Sequence, residues 1–268
     1  MHPRLSFNSI CNGPTSLDQD YDIWRELGAA CVGIQAGKLE AVGWQAGIDK
    51  VLAEGMRVST LLHPVSFHLD DRSAWDAQRD AMMRTIDAAK AVKSESIYTT
   101  GGRRGQLSWE EAAEAFVEAI KPVVAHARTA GVPILIEQVP ALYVDFAFVH
   151  NLRDALHVAE AAGIGVCLDL WHFWSESNLH ANMDRALPGC RLVQISDYTL
   201  GDRSYPCRTV PGDGVMPIEA LMKRIVAAGY KGSFDFELIG PRIEKEGAAS
   251  ALRRAGLYMT AMLERLGV

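Results

Sequence analysis

The chain has 268 residues, of which 49% are hydrophobic and 22% charged, and its net charge is −6. That length and apolar content suffice for a large core and exclude disorder as the main character, while an acidic chain without a basic run is a poor match for nucleic-acid phosphates. No window reaches the roughly 18 apolar residues of a membrane span, and Met1-His2-Pro3-Arg4-Leu5-Ser6-Phe7 carries too short an apolar run for a signal peptide, so a cytoplasmic protein with no membrane partner is expected.

In chain order the expected elements alternate. Strand Leu5–Asn8 precedes a helix near 17–28, Cys31–Gln35 precedes 39–54, Arg57–His63 precedes 72–92, and Ser96–Thr100 precedes 108–130. Pro133–Val139 then precedes 149–162, Gly165–Leu170 precedes 178–187, Leu192–Asp197 precedes 217–228, and Ser233–Leu238 precedes 244–267. Each strand is a short β-branched or apolar run bounded by turn residues, and each helix a longer segment with helical spacing. Ser108-Trp109-Glu110-Glu111 has the form of a capping box, and Gly55, Gly131 and Gly229 stand where helices hand over to strands. No linker-like stretch divides residues 1–268, so the α/β pattern predicts one domain, a single (β/α)8 TIM barrel. Cys11, Cys31, Cys167, Cys190 and Cys207 form no C-x-x-C and read as free buried thiols.

In such a barrel the chemistry sits where the strands end, at the C-terminal mouth. The strand-end residues here are Asn8, Gln35, His63, Thr99 or Thr100, Glu137, Asp169, Gln194 or Ser196, and Glu237. Glu137, Asp169 and Glu237 each close an apolar run, and a carboxylate among Ile, Leu and Val must be paired, protonated or bound to a cation. Their own strands supply no Lys or Arg, so a divalent cation is the expected partner; the alternative is a rim network with Arg208, Arg242 or Lys231. His172, three residues past Asp169, is placed to orient ligands or substrate. His63 is a substrate-contact candidate, against a packed, hydrogen-bonded histidine. In Arg208-Thr209-Val210-Pro211-Gly212-Asp213-Gly214-Val215 the arginine can hold a carboxylate, keto oxygen or phosphate, against a plain turn before a helix.

The ordered set Glu137, Asp169-x-x-His172, Gln194-x-x-Asp197, Arg208-x-x-Pro211-Gly212-x-Gly214 and Glu237 resembles the sugar phosphate isomerase/epimerase superfamily, the xylose isomerase-like barrels, over residues 5–267. The resemblance implies a Glu, an Asp, a His and a Glu at successive strand ends binding Mn2+, Mg2+, Co2+ or Zn2+. It implies Glu137 and Glu237 as the acid/base pair and as metal ligands, Asp169 as a ligand, and His172 and Arg208 as substrate contacts. A small carbohydrate-like substrate and a homo-oligomer follow in the same way.

Two departures shape the expectation. Strand seven reads Gln194-Ile195-Ser196-Asp197 where the family has His-x-x-Asp. An amide oxygen at Gln194 suits Mn2+ or Mg2+ better than Co2+ or Zn2+. Segment 139–148 and Trp171, Phe173 and Trp174 give the mouth an aromatic wall, with Tyr143 and Trp171 as substrate contacts, suited to a sugar face or an apolar aglycone. The resulting reading is a metal-assisted isomerase or epimerase of a keto-sugar or related polyhydroxylated carbonyl compound. The alternatives are a lyase or dehydratase using the same enolate, on an inosose-like or 3-keto-glycoside substrate, and a metal-free binding protein. A nuclease on this barrel would need further histidines where the chain has Thr99-Thr100 and Gln194.

Overall fold

Eight parallel strands close into a barrel in a computed structural model that describes residues 1–64 and 66–268. They are β1 (Leu5–Asn8), β2 (Cys31–Gln35), β3 (Arg57–Leu62), β4 (Ile97–Thr99), β5 (Ile134–Ile136), β6 (Gly165–Asp169), β7 (Leu192–Ile195) and β8 (Ser233–Phe236). Chain neighbours pair throughout, and β8 returns to β1 with Phe234 opposite Leu5. The major helices are α1 (Leu17–Leu27), α2 (Trp44–Glu54), α3 (Trp75–Ala91), α4 (Trp109–Ala130), α5 (Leu152–Ala162), α6 (Leu179–Ala186), α7 (Ile218–Ala227) and α8 (Ala248–Arg265). The fold is a single (β/α)8 TIM barrel.

Strand alternation sorts side chains into two cores. Outward Phe7 and Phe236 meet with ring centroids 5.2 Å apart in the layer beneath the helices. Inward positions fill the barrel. Ser6 and Ser59 bond each other near its base, Asp235 accepts from Ser6 and Asn8, and Tyr98, Leu135, Cys167 and Leu192 form an apolar layer. Ser108 makes both bonds of its capping box, as does Ser16 at the start of α1. The five cysteines are buried and free. Among the described residues, no helix is long and apolar enough to cross a membrane.

Departures from the expected spans have local causes. The helix expected over 39–54 is two, Ala36–Ala41 and Trp44–Glu54, because Gly43 takes φ 91°. The last helix likewise breaks at Gly247, φ 90°, into Pro241–Glu246 and Ala248–Arg265. The helix expected from 149 starts at Leu152, because Val149 accepts a bond from Val139 and Asn151 caps the Asp154 amide. Two small ribbons over the mouth are additions, Phe67–His68 beside Gly102–Arg103 and Asp197–Tyr198 beside Arg208–Thr209.

Candidate active site

Asp169 is the last residue of β6, and Glu137 and Glu237 follow β5 and β8 directly, so period-two alternation turns all three carboxylates into the mouth. All three are buried. Arg208 reaches them from above through the Asp197–Tyr198 and Arg208–Thr209 ribbon. That ribbon is pinned by Asp197, whose Oδ1 accepts from the amides of Tyr198 (2.8 Å) and Met216 (3.0 Å) and whose Oδ2 accepts from Gly212 and Gly214 (both 3.0 Å). Gly214 is required there, because a Cβ would stand 2.3 Å from Asp197 Oδ1. Asp197→Ala strands four amides and is expected to cost about 3 kcal/mol in urea unfolding, since bonds to a charged acceptor are worth more than neutral ones.

The Arg208 guanidinium is the hub. Its Nη2 donates to Asp169 Oδ2 (2.6 Å), Glu237 Oε1 (2.9 Å) and His172 Nε2 (2.9 Å), and Nη1 donates to Ser196 (3.0 Å). Of the partners weighed from sequence, the alternative with Arg208 is the one present in this arrangement, and it is buried among the carboxyls rather than at the rim. Arg242 instead pairs with Asp202 at the surface. One guanidinium cannot balance three ionised carboxyls in a low-dielectric site, so some of them must hold a proton or meet a further cation.

The ionisation pattern follows. Burial and then the neighbouring Glu237 and Asp169 charges push Glu137 well above the usual carboxylate range. Burial raises Glu237 to about 7 even though Arg208 opposes it. At Asp169 burial is outweighed by Arg208 and His172, which hold that carboxyl below its ordinary value. Burial lowers His172 to about 4, so its ring is neutral near pH 7. Asp235, one layer down, is raised to about 7 by burial. Two carboxyls poised high beside one held low is the division of labour that acid/base chemistry needs.

The residues fit a divalent cation. Ligand atoms of Glu137, Asp169 and His172 lie within 4.8 Å of one another. Glu137 Oε1 is buried without a hydrogen-bond partner among the described residues. His172 Nδ1 lies 2.6 Å from the Gln138 carbonyl oxygen, to which it must donate, so Nε2 carries the lone pair, which in this arrangement accepts from Arg208 Nη2 and which a cation would have to take over from the guanidinium. Gln194 faces the site with the other end of its amide. Its Nε2 donates to Glu237 Oε2 (2.6 Å) and the Tyr98 hydroxyl (3.2 Å), while its carbonyl oxygen accepts from the Cys167 thiol (3.0 Å). The expected carbonyl ligand at Gln194 is therefore turned away in this arrangement, because a carboxylate neighbour demands a donor.

A cavity of about 500 Å3 opens above this floor. Glu137, His172, Arg208, Glu237, His63, Trp171 and Tyr143 line it. His63 hydrogen-bonds Thr85 through Nδ1 (2.9 Å), and burial lowers it to about 4. The aromatic wall is narrower than expected, since Phe173 and Phe148 belong to the core and Trp174 meets Tyr198 at a tilt instead. Tyr98 and Tyr205 also line the cavity and were not singled out from sequence. Tyr98 could have been found from inward alternation along β4, whereas Tyr205 lies in a loop whose path no local pattern signals.

The fold has relatives. The chain aligns with protein SMc04130 from Sinorhizobium meliloti 1021 at TM-score 0.82 and 26% identity, covering 93% of this chain and 96% of that one. A zinc-bound IolI protein aligns at TM-score 0.83 and 18% identity over 98% and 99% of the two chains. The apo 3-keto-D-glucoside 4-epimerase YcjR from E. coli aligns at TM-score 0.76 and 16% identity over 96% and 98%. No curated protein matches in sequence. The family model described as xylose isomerase-like TIM barrel matches residues 22–257, and the chain belongs to that family.

Proposed function

We propose that the chain is an isomerase or epimerase that moves a proton beside the carbonyl of a keto-sugar or related polyhydroxylated compound, assisted by a divalent cation. The observation that carries the reading is the set of three buried carboxyls around one guanidinium, with Glu137 Oε1 unpartnered at the floor of a cavity. Glu137, Asp169 and His172, with Glu237 adjacent, would hold the cation, and the oxygen-rich set favours Mn2+ or Mg2+. When bound, such an ion polarises a carbonyl and lowers the barrier to ionising the neighbouring C–H.

The rest is done by the chain. Glu137 and Glu237 stand after β5 and β8, with β6 and β7 between them, so a substrate on the floor meets one carboxyl from each side. One takes the proton and the other returns it; return to the opposite face gives an epimer, and return to the adjacent carbon gives an isomer. Arg208 places fixed positive charge where the enediolate oxygen develops, and Asp169 holds the guanidinium there. Gln194 fixes the rotamer of Glu237 through its short amide bond.

The test is proton NMR in D2O on ketoses, inososes and 3-keto-glycosides, with chelated and Mn2+-supplemented protein. Exchange of one C–H next to the carbonyl, faster with Mn2+, is the expected result. Metal-loaded protein that exchanges no such proton in any of the three classes contradicts the reading.

A further inference from the structure

We propose that the mouth contains a subsite for a planar aromatic ring carried by the substrate, so that the compound turned over is a polyhydroxylated carbonyl bearing an aryl substituent. This rests on the reading above for the sugar-like part and adds what covers the rest of the cavity. The lining is divided by chemistry. From the β2, β3 and β4 side come Gln35, His63, Ser66 and Thr100, which can bond hydroxyls, set among Leu62, Pro64 and Tyr98. From the β5, β6 and β7 side come Tyr143, Phe146, Trp171 and Tyr205, supplied by three separate loops.

Those four rings contact one another at an angle. Tyr143 lies 4.8 Å from Phe146 at 39° and 4.5 Å from Tyr205 at 45°, and Trp171 lies 6.3 Å from Tyr205 at 50°, centroid to centroid. One flat ring is enough to stack on a sugar face. Rings inclined to one another instead offer faces and edges together, the pairing that a second π-system prefers. Around them Val139, Pro206 and Ile239 supply no side-chain hydrogen bond, which leaves the ring edges of Tyr143, Tyr205 and Trp171 as the polar groups on this side, far fewer than the hydroxyls of a sugar. The Arg208 guanidinium stands 5.2 Å from the centroid of the Trp171 ring, which joins this box directly to the catalytic floor. A cavity of about 500 Å3 is also in the size class that encloses a drug-sized ligand.

Calorimetric titration of the Mn2+-loaded protein with phenyl β-D-glucopyranoside and methyl β-D-glucopyranoside tests the subsite. The phenyl compound is expected to bind at least tenfold more tightly, with the gap falling below threefold in Tyr143→Ala and in Trp171→Leu. Tyr205→Leu replaces the tryptophan variant if that one loses the wild-type unfolding midpoint. Equal affinity for the two glycosides, or binding of neither, overturns the subsite, as does a tenfold preference that survives all these substitutions. Failure of the parent reading looks different: the phenyl preference and its loss in the variants hold, while no keto compound exchanges deuterium.

Discussion

Glu137→Gln lowers turnover by about 10²–10⁴-fold, the range for losing a positioned general acid or base, with KM changed only a few-fold. Glutamine keeps the shape of the side chain and cannot exchange a proton. The wild-type carboxyl is buried and unpartnered at Oε1 on the floor of the cavity, where it can reach a bound compound. The check is the rate of deuterium incorporation into whichever carbonyl compound the wild type exchanges. A Gln variant with wild-type exchange would make Glu137 a structural carboxyl.

Arg208→Met destabilises the protein by about 3–5 kcal/mol at pH 8, the cost of leaving buried charges without their partner. The loss shrinks toward pH 6.5, and the sign follows from which groups carry protons. Arg208 holds Asp169 low and opposes the rise at Glu237, so without it both folded carboxyls move up and the variant's native state keeps protons that the wild type releases, which relieves the loss as pH falls. Glu237 and Asp235 are raised to about 7, so the native state binds more protons than the unfolded chain between about 4 and 7. Their stability is full below the unfolded pKa and lost as pH rises through 7. His63 and His172, lowered to about 4, act the other way, but their stability is lost only as pH falls through about 6.5 toward 4. Between pH 6.5 and 8 the carboxyls therefore decide, and the chelated wild type also unfolds at lower temperature as pH rises. Thermal unfolding of both proteins at pH 6.5 and 8 reads this out, and an Arg208→Met deficit equal at the two pH values would contradict it.

The barrel was legible in sequence because each strand is a separate apolar run stopped by glycine, proline or a polar residue. Strand ends fall two or three residues earlier than expected, as at Phe236 and Ile136, because hydrogen bonding stops before side-chain alternation does. Three carboxyls at equivalent strand ends announced the site. What stayed hidden depends on chain that folds back from a distance. Arg208 enters the cluster 39 residues from Asp169, and Asp197 gathers amides 15 to 19 residues ahead. The orientation of the Gln194 amide is equally non-local, being set by Glu237 just after β8 and Cys167 on β6.

The central claim is that the carboxyl cluster around Arg208 takes up one divalent cation. Its most direct test is equilibrium titration of chelator-stripped protein with Mn2+ at pH 7.5, followed by electron paramagnetic resonance of free Mn2+, for wild type and Asp169→Asn. The account predicts one saturable site per chain, at least tenfold weaker in Asp169→Asn while the unfolded fraction stays negligible. Wild-type protein that leaves all the Mn2+ free, and does the same with Mg2+, Co2+ and Zn2+ in competition, would contradict it.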